Sequence, residues 1–140
     1  FIADATIKQL VLAGKAPRNC KVVVLGITFK ENCPDTRNSK VNDVLKKLQE
    51  YDIEPLVIDP VASAEDAERE YGVKLVNFDD VHDADCVIIA VAHNEFKAMG
   101  LEGVGKLFGS ADVHSKVLID VKSLFDKKNV DQAGYRYWRL

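Results

Sequence analysis

A doubly wound α/β domain, with a mainly parallel sheet covered by helices on both faces, is the fold this sequence predicts. Three observations carry the prediction. Short apolar runs rich in β-branched residues recur at 21–25, 55–58, 85–91 and 116–121. Segments of helical character lie between them, giving one strand–helix unit about every 20 to 30 residues. The runs at 21–25 and 85–91 are almost wholly apolar, as in strands buried on both faces.

Taken in order, residues 1–14 start inside a helical pattern. Ile2, Ile7, Leu10 and Val11 recur at roughly helical spacing, and Gly14 stops it. We expect residues 1–15 to be the tail of a longer linker helix and 16–140 to be the α/β domain, so that the chain is a piece of a larger protein. A basic connector with Pro17 leads to the first strand, 21–25, which ends at Gly26. Residues 27–37 read as irregular, with Pro34 and Asp35 marking a turn. Ser39 is the expected N-cap of a helix through Gln49 whose apolar face is Val41, Val44, Leu45 and Leu48. A short strand at 55–58 closes at Asp59-Pro60. Ser63 caps a helix over 64–71 that Gly72 ends, and 73–76 is a further strand candidate. A brief polar helix at 78–84 precedes the strongest strand, 85–91. Short helical segments follow at 94–99 and 101–108, then a strand at 116–121 and a terminal one at 135–138.

With 140 residues, 47% of them apolar and 29% charged, the chain suits one globular domain. The net charge of −3 argues against nucleic acid, whose binders carry a basic face, but leaves room for one basic pocket. No apolar run approaches the ~20 residues of a membrane span. Cys20, Cys33 and Cys86 form no Cys-x-x-Cys pair, which predicts reduced thiols and a cytoplasmic protein rather than a disulfide framework or a zinc site. His82 and His114 show no ligand spacing.

In doubly wound sheets ligands bind beyond the C-terminal ends of the strands, near the switch in strand order. The candidate positions are therefore 26–37, Asp59, 92–96 and 120–122. A dinucleotide site would show Gly-x-Gly-x-x-Gly after the first strand, letting the backbone approach a pyrophosphate. This chain has Gly26 and then Ile27-Thr28-Phe29-Lys30, an aromatic ring and an ammonium group where glycines are needed. That predicts a phosphate met by a cationic side chain and argues against autonomous NAD binding. Asp59 follows Gly26 by 33 residues, too far for the acidic residue that grips an adenosine ribose, and reads as a turn. His93, at a strand end, reads as a loop hydrogen-bonding residue. Cys33 has no histidine beside it in sequence and reads as inert.

The set Gly26-x-x-Phe29-Lys30, then Pro34-Asp35-x-Arg37-x-Ser39, then Asp59-Pro60, then His93-x-Glu95-Phe96 resembles the C-terminal domain of the UDP-glucose/GDP-mannose dehydrogenase family over about residues 21–140. The resemblance implies a Rossmann-like domain that binds a UDP-sugar. The parent enzyme would be NAD-dependent and oxidise sugar C6 from alcohol to carboxylate. NAD would be held mainly by an N-terminal domain, and that domain, the catalytic cysteine and a central helical domain are missing from this chain. No catalytic residue is then expected here, and the chain alone should be inactive. By the same resemblance Phe29 and Lys30 contact substrate, Lys30 near the diphosphate, and Arg37 reaches the NAD of the other domain. The other reading of Arg37 is a salt bridge with Asp35 on a surface loop. Lys122, in Asp120-Val121-Lys122-Ser123, stands where the UDP-glucose branch has an arginine pair; it is a substrate contact or a helix-side charge. The loop 29–39 resembles the UDP-N-acetylhexosamine branch more than the UDP-glucose branch, which implies a role in surface polysaccharide synthesis and a parent that is a homodimer or larger. Two other readings stay open: a stand-alone nucleotide-binding or regulatory module, and an interaction domain without a small ligand.

Overall fold

The computed structural model describes residues 1–109 and 112–140. Its five strands are β1 (Val22–Leu25), β2 (Leu56–Ile58), β3 (Cys86–Ile89), β4 (Val117–Asp120) and β5 (Arg136–Arg139), all parallel, in the order β2-β1-β3-β4-β5. β1, β3 and β4 are wholly buried, as their continuous apolar sequences require. The helices are α1 (Ile2–Leu12), α2 (Val41–Gln49), α3 (Ala64–Tyr71), α4 (Asn94–Gly105) and α5 (Lys127–Ala133).

Alternation along the strands divides the core in two. Val22, Val24, Cys86, Ile88, Val117 and Ile119 face α1, α2 and Ala67 of α3. Val23, Leu25, Val87, Ile89 and Leu118 face Phe96 and Val104 of α4 and Val130 of α5. The doubly wound, helix-covered sheet expected from the sequence is what forms. Helix α1 is part of it: Ala3, Thr6 and Leu10 are buried, and the helix lies on α2, β4 and β5.

Four local expectations change. Residues 73–76 form no strand; Leu75 makes a single parallel bridge to Val57, and the Val76 amide donates to the Val57 carbonyl. The segments at 94–99 and 101–108 are one helix kinked at Gly100, whose φ of 64° breaks the regular backbone. The 78–84 segment is only a 3₁₀ turn at Phe78–Asp80. Lys40 takes the N-cap position of α2, and the Ser39 hydroxyl still accepts the Val41 amide at 3.3 Å.

Helix α5 had no apolar periodicity to reveal it, since Val130 is its one buried residue. Its ends carry the signals instead: the Asp126 carboxylate accepts the Lys128 amide and Gly134 closes the helix left-handed at φ 93°. Among the described residues no helix is long and apolar enough to cross a membrane.

Candidate functional site

From β1 the chain moves outward to β2, returns across β1 to β3, and continues to β4 and β5. The switch point therefore lies at the C-terminal ends of β1 and β3. Since β1 sits between β2 and β3, the loops leaving all three strands meet above it.

Asp59, at the end of β2, is the anchor of that meeting place. Its side chain has no exposed surface. Oδ1 accepts the Val61 and Ala62 amides at 2.8 and 2.9 Å, and Oδ2 accepts the Ile27 amide at 2.7 Å and His93 Nε2 at 3.1 Å. Burial pushes the carboxyl up. The hydrogen bonds from His93 and from the Ile27, Ala62 and Val61 amides outweigh it, so the group titrates below an ordinary aspartate.

His93 is fully buried beyond the end of β3. Its Nδ1 accepts the Asn32 amide at 2.9 Å, which assigns the ring hydrogen to Nε2, facing Asp59. The Thr28 hydroxyl lies 3.3 Å from Nε2 and donates to the Lys30 carbonyl at 2.9 Å. Asn32, at a φ of 60°, accepts the Asn94 amide on its side-chain oxygen at 2.8 Å. The Phe29 amide donates to the Asp35 carbonyl at 2.8 Å, closing the loop at its base.

Beside this network a cleft of about 250 Å³ opens at the switch point. Ala90 and Val91 line it from just beyond β3, Thr28, Phe29 and Lys30 from the β1 loop, Lys40 and Val41 from the start of α2, and Lys122 from the turn after β4. Among the described residues Lys30, Lys40 and Lys122 form no salt bridge. Three lysines thus line one cleft at the N-terminus of α2, the positive end of that helix's dipole. Phe29 leaves 56% of its surface exposed. The turn carrying Lys122 is fixed by buried Asp120, which accepts the Leu124 and Phe125 amides at 2.8 and 3.0 Å and the Tyr137 hydroxyl at 2.7 Å. Burial, and then the bond to Asp120, hold the Tyr137 phenol well above its usual range.

The structure brings Phe29, Lys30 and Lys122 together and sets Arg37 apart. Arg37 is exposed and bound to both oxygens of Asp35 at 3.0 Å. The Arg37 side chain, and then its amide, hold the Asp35 carboxyl below its usual range. Lys40 was missed by sequence reasoning because it reads as one more solvated lysine at a helix start. Cys33 is half-buried and free, and burial pushes the Cys86 thiol well up. Among the described residues no group of three or more His, Cys, Asp or Glu side chains is placed to hold a metal ion.

The switch point lacks the features of a dinucleotide loop: Phe29 and Lys30 stand between β1 and α2 where such a loop has glycines, and all four accepting positions of Asp59 are engaged, leaving none for a ribose.

Comparison with known proteins bears on family and fold. Residues 23–127 match the model of the UDP-glucose/GDP-mannose dehydrogenase family, UDP binding domain. The chain is 49% identical over 131 residues to a UDP-N-acetyl-D-glucosamine 6-dehydrogenase of Pseudomonas aeruginosa, covering 94% of this chain and 30% of that protein. It is 37% identical over 131 residues to the enzyme of the same name from Salmonella typhi, with the same coverage. Among solved structures it matches an NDP-N-acetyl-D-galactosaminuronic acid dehydrogenase of Methanosarcina mazei with a TM-score of 0.83 at 21% identity, a likeness of fold, over 99% of this chain and 28% of that one. A UDP-N-acetyl-mannosamine dehydrogenase of Staphylococcus aureus matches with a TM-score of 0.65 at 28% identity, over 99% of this chain and 29% of that one. The chain spans about 30% of the length of the curated relatives it matches. By its matched domain over residues 23–127 and its parallel five-stranded sheet, the chain belongs to the UDP-glucose/GDP-mannose dehydrogenase family and corresponds to that family's UDP binding domain.

Proposed function

We propose that this chain is the UDP-sugar-binding part of an NAD-dependent UDP-sugar 6-dehydrogenase. The observation that carries the reading is the convergence of Lys30, Lys40 and Lys122, without carboxylate partners among the described residues, on a cleft at the N-terminus of α2. A diphosphate is the ligand that such a cleft suits, because it brings two anionic groups to three compact cations in a chain whose net charge is negative. Phe29 offers an exposed ring at the same mouth for the sugar or the base. The hydride acceptor is NAD, held by segments outside this chain, and Arg37 is the residue we assign to that side once its pairing with Asp35 opens. The chain by itself then binds substrate and produces no NADH.

A UDP-N-acetylhexosamine is the substrate we favour, and cell-surface polysaccharide synthesis in the cytoplasm the setting. Its support is the 49% and 37% identity to two proteins named UDP-N-acetyl-D-glucosamine 6-dehydrogenase.

The test is kinetic, in the full-length enzyme. Lys30→Ala should raise KM for the UDP-sugar by roughly ten- to a hundredfold, the loss of a charge-assisted hydrogen bond to phosphate, with little change in KM for NAD. Arg37→Ala should raise KM for NAD instead. Identical profiles for the two variants would show that their roles are not separate, and an unchanged KM for the UDP-sugar in Lys30→Ala would remove the diphosphate from this cleft.

A further inference from the structure

We propose that His93 is the positioning residue of the substrate loop, acting through its ring nitrogens and never touching the ligand. The inference rests on the reading of the cleft above and adds to it the device that holds Phe29 and Lys30 in place. Neither residue has a buried anchor of its own, since both side chains are exposed. Within their loop the Phe29 amide donates to the Asp35 carbonyl and the Lys30 carbonyl accepts the Thr28 hydroxyl, and the loop itself is tied to β2 and the β3–α4 junction at two further points. Before the pair, the Ile27 amide is held by Asp59 at 2.7 Å. After the pair, the Asn32 amide is held by His93 at 2.9 Å. The ring of His93 joins the two ties, because its other nitrogen reaches Asp59 at 3.1 Å and lies 3.3 Å from the Thr28 hydroxyl.

The chemistry of the ring suits this task. In its neutral form imidazole is an acceptor at one nitrogen and a donor at the other. Nδ1 takes an amide hydrogen that the left-handed Asn32 turns inward, and Nε2 supplies a hydrogen to a carboxylate already fixed by three amides. Aspartate at residue 93 could not donate to Asp59, and lysine could not accept from Asn32. Asn32 adds a reciprocal bond, its side-chain oxygen taking the Asn94 amide next to His93 at 2.8 Å. The loop carrying the cleft residues is thereby locked to the β3–α4 junction. Phe96 packs beneath the ring with centroids 5.4 Å apart, which keeps it from turning.

Two substitutions separate the ring's two bonds. Asparagine places a carbonyl oxygen near the position of Nδ1 and keeps an acceptor for Asn32. Glutamine reaches the position of Nε2 and keeps the donor to Asp59 while losing the acceptor. We expect His93→Gln to weaken UDP binding to this chain about tenfold and His93→Asn to recover most of that loss, within about threefold of the parent. Amide exchange at Asn32 should accelerate in His93→Gln by a similar factor and much less in His93→Asn. A merely structural histidine would lower Tm in both variants and leave the affinity of the folded protein alike. Equal affinities, or an asparagine variant weaker than the glutamine one, would overturn the proposal. Should His93→Gln not fold, nitrogen chemical shifts of the unsubstituted chain decide: Nδ1 bare and coupled to the Asn32 amide supports the proposal, and Nδ1 bearing the hydrogen refutes it. If the unsubstituted chain does not bind UDP, the reading of the cleft falls, and the Asn32 exchange rates still judge the role of His93.

Discussion

Asp59→Asn should destabilise the domain by about 3 kcal/mol, although it removes no volume. The carboxylate receives four hydrogen bonds, two on each oxygen. An amide in its place puts an NH₂ group against two donors, either Val61 and Ala62 or Ile27 and His93, and leaves buried donors without an acceptor. The same pairing sets an acid limit. The folded-state pKa of Asp59 lies below the unfolded value of about 3.9, so its contribution is complete above that pH and is lost as pH falls through the folded value. Urea unfolding followed from pH 6 to pH 2 checks both points. The parent should lose stability below about pH 4, and Asp59→Asn should be weaker throughout with a shallower acid slope. Equal stability of the two proteins at pH 6 would refute the role given to Asp59.

Gly26→Ala should cost about as much, by two additive routes. Gly26 has a φ of 100°, a conformation that strains an L-residue by ~1–2 kcal/mol. A methyl group there would also stand 2.5 Å from Cβ and 2.8 Å from Cγ2 of Val91, an overlap that cannot be absorbed without moving the segment that follows β3, and overpacking of this kind costs ~1–3 kcal/mol. Thermal and urea unfolding should show a total loss of about 3 kcal/mol. Combining it with Val91→Gly, which removes both contacted carbons, should return most of the steric share and leave the backbone share, so the pair should be less destabilised than the sum of the singles. Strict additivity would place the cost of Gly26→Ala in the backbone alone. Because Gly26 opens the loop that carries Phe29 and Lys30, folded Gly26→Ala protein should also bind UDP more weakly.

Much of this architecture was legible in the residues. β1 and β3 stood out because Val22–Leu25 and Cys86–Ile89 are apolar at every position, and α3 because Ser63 and Gly72 bracket it. Phe29, Lys30 and Lys122 could be placed at one edge because they follow strand ends in a parallel sheet. What escaped was whatever depends on strand order. Asp59 and His93 lie 34 residues apart, and nothing local links a turn aspartate to a loop histidine. They meet because β2 and β3 flank β1. Each was read locally, one as a turn and the other as a loop hydrogen bond, and each reading holds half of the network. Lys40 was hidden differently, since a lysine beside an amphipathic helix is usually solvated, and only the turn at the start of α2 brings it to the cleft. The helix at Lys127–Ala133 had caps without periodicity.

The central claim is that the switch point of this domain holds a nucleotide-linked diphosphate through its lysines. Calorimetric titration of the 140-residue chain with UDP, uridine and NAD, each at two salt concentrations, tests it most directly. UDP should bind with an affinity that weakens with salt, uridine should bind at least about tenfold more weakly for want of phosphate, and NAD should give no heat above dilution. Uridine binding as well as UDP, or NAD binding at least as tightly, would contradict it.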